Sequence, residues 1–218
     1  MQIAGREISG SMPPYLIAEI SGNHGGSLDN ALQLIREAKI AGADAVKTQC
    51  FQANRLTMNS DSPEFRIKGG PWDGRRLYDL YAETETPRAW FPHLFAQAHE
   101  VGITLLSSVF SPEDVDFLES LGCPAYKIAS MEITDVGLIE YAYKTGKPLI
   151  ISTGMVEQAD HDDRERGDLN GEYHKGNYYE CSAGYGHGGI RIFRSESRPR
   201  DFFYFRYFYL RWLRRQWH

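Results

Sequence analysis

The stretch ITLLSSVFSPEDVDFLESLGCPAYKIAS, residues 103–130, decides the fold class of this chain. It consists of a short apolar run, an amphipathic segment that begins at Ser111, and a second short apolar run at 125–130. Ser111 followed by a proline is typical of the start of a helix. Two apolar strands joined by a helix predict a βαβ unit, because the crossover returns the chain in the same direction.

The same alternation continues on both sides of this unit. Strands are predicted at 15–20, 43–49, 103–110, 125–130 and 147–154, with amphipathic helices between most of them. Ser27 is the predicted N-cap of the helix that follows the first strand. The pattern indicates an α/β fold of the (β/α)8 TIM-barrel type. An eight-unit barrel takes about 250 residues, so the predicted barrel is incomplete, with about five βα units.

A long polar segment, 50–86, interrupts the alternation after the second strand. It is too long for an ordinary connection, and we interpret it as a functional insertion with a short helix near LYDLYAE. Thr86 and the proline after it predict the cap of the next helix.

The composition changes after Val156, first to polar residues and then to arginines interleaved with aromatic residues. We therefore divide the chain into a partial barrel domain, 1–156, and an atypical tail, 157–218. The abrupt loss of the βα rhythm favours a frameshifted or disordered tail. A segment that binds single-stranded nucleic acid or a membrane surface is the alternative.

The overall composition narrows the class of protein. The formal net charge of -5 provides no general attraction to nucleic acid or to anionic membranes. The three cysteines have no CxxC spacing, which is typical of a reducing compartment rather than a disulfide scaffold or a zinc site. No signal peptide or membrane-spanning run is recognisable. We expect a soluble, cytoplasmic protein without nucleic-acid or membrane partners.

Polar side chains mark the C-terminal ends of the predicted strands, where (β/α) barrels carry their reactive groups. They are Glu19, Lys47, Gln49, Ser108, Lys127, Ser130 and Ser152, with Glu132 just beyond the fourth strand. Two lysines, several hydroxyls and two carboxylates on one rim predict a site for a small anion that carries phosphate and carboxylate groups. Taken singly, Glu19 and Lys47 also fit a buried ion pair, and Ser108 and Ser152 also fit helix caps.

The spacing of Lys127 and Ser130 adds a geometric constraint. The two residues differ in parity, so they cannot both point to the same side of a regular strand. Either the strand ends near Ala129 or a bulge lies there.

Four blocks of this sequence resemble the successive blocks of the sialic acid synthase family. They are YLIAEISGNHGG, AGADAVKTQ, the segment from LLSSVF to MEITD, and TGKPLIISTGM. GPWDGRRLYDLYAETETPRAW resembles more narrowly the pseudaminic acid synthase branch. The resemblance covers residues 14–156. It implies a transferase that condenses phosphoenolpyruvate with the aldehyde of an acetamido sugar, which yields a nine-carbon 2-keto acid (pseudaminic or N-acetylneuraminic acid) and phosphate.

The resemblance also implies roles for the rim residues. The positions that match phosphoenolpyruvate contacts are Lys47, Ser108, Lys127, Ser130 and Ser152. Gln49 matches a sugar contact, and Glu19 and Glu132 match carboxylates near the reacting atoms. With Lys47, these two carboxylates form the predicted catalytic set, and either of them could transfer protons.

The resemblance further implies a divalent metal, Mg or Mn, and a homodimer for the full-length family. The late barrel strands that supply the metal histidines have no counterpart here, so no metal ligand is identified, and we expect a truncated and impaired enzyme. Two alternatives stay open. One is a Schiff-base barrel aldolase with an inward lysine. The other is a non-catalytic remnant or binding module.

Overall fold

A computed structural model describes residues 2–9 and 12–152 in full, together with the backbone of three later strands. The chain begins with a small antiparallel ribbon, β1 (Gln2–Ile3) and β2 (Arg6–Glu7). Ala4 and Gly5 turn this ribbon with positive φ angles of 48° and 80°, as a two-residue hairpin requires. Ile3 joins the main hydrophobic core.

Five parallel strands form a curled sheet at the centre of the molecule. They are β3 (Tyr15–Glu19), β4 (Ala45–Cys50), β5 (Thr104–Val109), β6 (Tyr126–Ile128) and β7 (Leu149–Ser152). Each pairs with the next in chain order. Nearly every residue in them is buried, since both faces of a parallel sheet are covered. The predicted five-strand α/β arrangement is confirmed.

Helices follow these strands and cover the sheet. They are α1 (Leu28–Ile40), α2 (Ala53–Leu56), α3 (Leu77–Thr84), α4 (Phe91–Val101), α5 (Pro112–Ser120) and α6 (Val136–Lys144). Short 3-10 turns occur at Pro63–Phe65, Arg88–Trp90 and Glu132–Thr134. Ser27 and Ser111 cap α1 and α5 by accepting the backbone N–H groups of Asn30 and Asp114, as their sequence positions predict.

An ion pair between a partly exposed arginine and a buried aspartate joins the beginnings of two helices. The guanidinium of Arg88 donates to Asp114 Oδ1 at 2.6 Å, and the backbone N–H of Phe110 donates to Asp114 Oδ2 at 3.2 Å. Asp114 is fully buried, so this pairing is needed to offset the loss of its hydration. The Arg88–Asp114 pair links the segment before α4 to the first turn of α5 and, through Phe110, to the end of β5.

Three further strands are described by their backbone: β8 (Tyr178–Ser182), β9 (Ile190–Arg194) and β10 (Phe202–Tyr209). β8 pairs parallel to β7, β9 runs antiparallel to both its neighbours, and β10 pairs parallel to β3. Eight strands therefore complete a ring, whereas the sequence predicted a sheet that stops before closure. The reversed β9 distinguishes this ring from a (β/α)8 barrel, in which all strands run parallel.

Most of the predicted tail, including 157–177, lies outside the described residues, so the domain boundary after Val156 stays a prediction. Within the part of the chain that the structure describes, no helix has the length and apolar character needed to cross a bilayer.

Candidate active site

Strand register places the predicted rim residues on one face of the sheet. Glu19 pairs with Lys47, Gln49 pairs with Ser108, and Ser108 pairs in turn with Lys127. Directly paired residues on parallel strands point to the same side, and residues two apart on a strand do so as well. Ser152 lies two positions after Ile150, the partner of Lys127, and so belongs to the same face.

Lys47 is the centre of the first cluster, which we call the Lys47 corner (Glu19, Ser21, Lys47 and Ser108). Its ammonium lies 2.6 Å from Glu19 Oε2 and donates to Ser108 Oγ at 3.0 Å. Only 5% of Lys47 and 6% of Glu19 are exposed. Glu19 and Lys47 therefore form the buried ion pair that was one of the two interpretations. Ser108 accepts a hydrogen bond from Lys47 and does not cap the following helix, whose N-cap is Ser111.

Ser21 holds the other oxygen of Glu19. Its hydroxyl and its backbone N–H both donate to Glu19 Oε1, at 2.6 and 3.0 Å. Ser21 adopts a φ of 41°, in the left-handed region that non-glycine residues rarely occupy. Both oxygens of the carboxylate consequently have partners, and its orientation is set from two sides.

Lys127 is the centre of the second cluster, the Lys127 corner (Lys127, Glu132 and Ser152). Its ammonium donates to the Ser152 hydroxyl and, at 2.7 Å, to the carbonyl oxygen of Ile128. Both Lys127 and Ser152 are buried. β6 ends at Ile128, and Ser130 lies in the turn that follows, so the first of the two geometric alternatives, an early strand end, is the one observed.

Glu132 begins the 3-10 turn beyond β6 and behaves differently from Glu19. Its Oε2 is buried and has no hydrogen-bond partner. Loss of hydration on burial raises the pKa of Glu132, while the hydrogen bond to its own backbone and the positive charge of Lys127 oppose that shift. A carboxyl group in this setting holds its proton closer to neutral pH than an exposed glutamate does.

Gln49 lies at the C-terminal part of β4 and is half-buried. Its register with Ser108 puts it beside the Lys47 corner, on the same face of the sheet. The roles assigned to Gln49 and to the other rim residues stay predictions.

A sequence pattern identifies the chain. The pattern of the NeuB family matches residues 34–166, more than half of the chain. The chain belongs to the NeuB family. This confirms the family resemblance predicted from the sequence blocks.

Relatives within the NeuB family include pseudaminic acid synthases. The chain is 47% identical over 144 residues to "Pseudaminic acid synthase" of Campylobacter jejuni subsp. jejuni serotype O:2, an alignment that covers 66% of this chain and 42% of that protein. It is 43% identical to "Pseudaminic acid synthase" of Helicobacter pylori, with the same coverage of each chain. The chain thus spans less than half the length of the curated relatives it matches.

A solved structure supports the fold. The N-acetylneuraminic acid (sialic acid) synthetase from Leptospira borgpetersenii serovar Hardjo-bovis matches with a TM-score of 0.68 and 23% identity, over 86% of this chain and 61% of that one. At this identity the likeness concerns the fold alone, and it agrees with the curled parallel sheet seen here.

The loop after β3 of this NeuB chain is anchored by His24, which the sequence did not single out as a contact to the insertion. His24 Nδ1 accepts the Gly26 N–H at 3.1 Å, so the ring proton lies on Nε2, which donates to Thr86 Oγ1 at 3.2 Å. Burial lowers the pKa of His24, and a hydrogen bond with the Thr84 backbone opposes the shift. Thr86 therefore contacts the histidine ring instead of capping α4, whose N-cap is Trp90.

Ser21 is the site residue that sequence reasoning missed. Its signal was its position two residues after Glu19 in the SGNHGG loop, whose asparagine and glycines are residue types that favour positive φ. Gly25 and Gly26 do adopt positive φ, whereas Asn23 does not. Only the folded loop shows that Ser21 takes this conformation.

The described residues do not fit the divalent metal that the NeuB resemblance implies. Within 2–9 and 12–152 no group of three or more His, Cys, Asp or Glu side chains is close enough to hold an ion. The buried donors at the rim have other partners: Glu19 binds Lys47 and Ser21, and His24 binds Gly26 and Thr86.

Proposed function

We propose that this chain carries the phosphoenolpyruvate-binding part of a pseudaminic acid synthase. The observation that carries the proposal is the pair of buried lysines, Lys47 and Lys127, on one face of the sheet, each with a serine hydroxyl as partner. The pseudaminic branch is preferred because identity is 43–47% to pseudaminic acid synthases and 32% to the human N-acetylneuraminate-9-phosphate synthase.

The charges of the rim match the proposed substrate. Phosphoenolpyruvate has a phosphate at one end and a carboxylate beside it, and ammonium and hydroxyl donors form charge-assisted hydrogen bonds with both. The Lys47–Glu19 pair is neutral as a unit, so it orients the anion more than it attracts it. The positive charge of Lys127 adds to the attraction.

The proposed reaction forms a carbon–carbon bond. C3 of phosphoenolpyruvate attacks the aldehyde carbon of an acetamido sugar, and the aldehyde oxygen takes up a proton to become a hydroxyl. Water adds to C2 and loses a proton. The new C2 hydroxyl then loses its proton as the C2–O bond to phosphate breaks, which forms the 2-keto group and releases phosphate. Holding both reactants in contact supplies much of the acceleration in a reaction of this kind.

Glu132 is the proposed proton donor to the aldehyde oxygen. Its burial keeps it protonated at higher pH than an exposed glutamate, which is the state that donation requires. Glu19, held between Ser21 and Lys47, is the proposed acceptor of the water proton. Gln49 and Ser130 are the proposed further contacts to sugar and phosphate.

Binding of phosphoenolpyruvate to this chain tests the proposal. Calorimetric titration of the purified chain should show one site, and Lys127→Met should weaken binding at least tenfold, because one charged contact to an anion is removed. Lys144→Met, on the outer helix α6, is the matched control and should bind as the unchanged chain does. If the unchanged chain shows no binding at millimolar phosphoenolpyruvate, the proposed function is wrong.

Turnover is expected of the whole protein, since the alignment covers only 42% of the relatives' length. Release of phosphate with phosphoenolpyruvate, a divalent metal and the pseudaminic acid precursor or N-acetylmannosamine would measure it. The full-length protein is proposed to form a homodimer and to act in the cytoplasm. Borohydride trapping of a covalent adduct with pyruvate would instead support the Schiff-base aldolase.

A further inference from the structure

Ser21 combines an unfavourable backbone conformation with two hydrogen bonds to a single oxygen. A φ of 41° at a residue with a Cβ costs on the order of 1 kcal/mol. In return the backbone N–H and the hydroxyl of Ser21 both point back at Glu19 Oε1. The left-handed turn is what brings both donors to the side chain two residues earlier.

The surrounding loop enforces this conformation. A Cβ on Gly22 would lie 2.5 Å from the carbonyl oxygen of Thr84, so the chain after Ser21 packs directly against the end of α3. His24 ties the same loop to Thr86. Ser21 therefore lies between β3 and a loop that contacts the insertion at two points, and it has little freedom to relax.

The two hydrogen bonds select which oxygen of Glu19 faces Lys47. With Oε1 engaged by Ser21, Oε2 lies 2.6 Å from the Lys47 ammonium. The ammonium also donates to Ser108 Oγ at 3.0 Å. An ammonium has three tetrahedrally arranged N–H groups, so two fixed acceptors determine the direction of the third.

We propose that Ser21 is a positioning residue: it fixes the Glu19 carboxylate so that the Lys47 ammonium presents its remaining N–H to the bound anion. The identity of that anion, phosphoenolpyruvate, rests on the proposed function. The position of the ammonium does not depend on it.

Two substitutions separate the contribution of the Ser21 hydroxyl from that of the backbone strain at this residue. Ser21→Ala removes the hydroxyl and keeps the Cβ, while Ser21→Gly removes the hydroxyl and relieves the strain at φ 41°. Both retain the backbone N–H bond. Phosphoenolpyruvate affinity should fall about tenfold in both, because the carboxylate that orients the Lys47 ammonium loses one of its own hydrogen bonds. Unchanged affinity in both variants would overturn the proposal.

A double substitution tests whether Ser21 acts through Glu19. In a Glu19→Ala background there is no carboxylate to orient, so Ser21→Ala should cause no further loss of affinity. A second tenfold loss in that background would show that Ser21 acts independently of Glu19, and the proposal would be wrong.

A measurement in the absence of phosphoenolpyruvate tests the positioning role of Ser21 separately from the proposed function. The Lys47 ammonium resonance in a proton–nitrogen NMR spectrum, assigned by its disappearance in Lys47→Arg, should shift or broaden in both Ser21 variants. The Lys127 resonance serves as the internal control and should stay in place. If the unchanged chain binds no phosphoenolpyruvate but the Lys47 resonance responds, the proposed function fails and the positioning role stands. An unaltered Lys47 resonance in Ser21→Ala would refute the positioning role.

Discussion

The two lysine corners contain the same residue types, yet their lysines have different hydrogen-bond partners and their glutamates have different environments. At the Lys47 corner the carboxylate contacts the ammonium directly, and both of its oxygens have partners. At the Lys127 corner the ammonium binds a hydroxyl and a carbonyl, and Glu132 has a buried oxygen without a hydrogen bond. Direct contact gives an orienting ion pair, whereas burial without a hydrogen-bond partner raises the pKa of the Glu132 carboxyl group.

The largest expected difference between the corners is in folding stability. Lys47→Met leaves Glu19 buried without its counter-charge, which costs about 3–5 kcal/mol of unfolding free energy. Lys127→Met should lower the unfolding free energy clearly less. The groups that it leaves behind are a hydroxyl, a carbonyl and a carboxyl group whose pKa is raised by burial. Urea unfolding monitored by circular dichroism would measure both.

The double variant Lys47→Met/Glu19→Gln provides the control for this comparison. It removes both charges together, so it should recover a large part of the loss caused by Lys47→Met alone. Equal destabilisation by Lys47→Met and Lys127→Met would contradict the difference drawn between the corners.

The two glutamates should respond in opposite directions to neutralisation at pH 8. Burial raises the pKa of Glu132, so stability contributed by its protonated form is present at low pH and is lost as pH rises through that raised pKa. Glu132→Gln should therefore raise the urea midpoint at pH 8, and the gain should shrink as the pH falls toward 4. Glu19→Gln should lower the midpoint at pH 8, since it weakens the partner of Lys47. Destabilisation by Glu132→Gln at pH 8 would contradict this assignment.

Substitution of His24, in the loop that also carries Ser21, should have the smallest expected effect on folding stability. Burial lowers its pKa in the folded protein, so below about pH 6.5 the unfolded chain binds more protons and stability falls. His24→Asn keeps an acceptor for the Gly26 N–H but does not titrate. The unfolding free energy of the variant should fall less between pH 7 and pH 5 than that of the unchanged chain. Equal slopes would show that His24 is not a source of the acid sensitivity.

Local sequence signals were sufficient for most of the central fold. Alternating apolar runs and amphipathic segments predicted all five parallel strands, and Ser27 and Ser111 predicted two helix caps. These features depend on interactions within a few residues, so they can be read from the chain directly. The reversed β9 and the closure of the ring were not predicted, since strand pairing between distant segments is not encoded in local periodicity.

The sequence by itself determined which polar residues share the rim. The common direction of parallel strands places the strand ends that carry Lys47, Ser108 and Lys127 at one edge of the sheet, and the register of the folded strands then puts the three side chains on one face. Only the tertiary structure decided how each is used: that Ser21 adopts a left-handed turn toward Glu19, that Ser108 binds a lysine instead of capping a helix, and that Glu132 loses its hydration. The physical reason is that charge state and hydrogen-bond partner depend on burial and on atoms from distant parts of the chain, whereas facing direction depends only on backbone geometry.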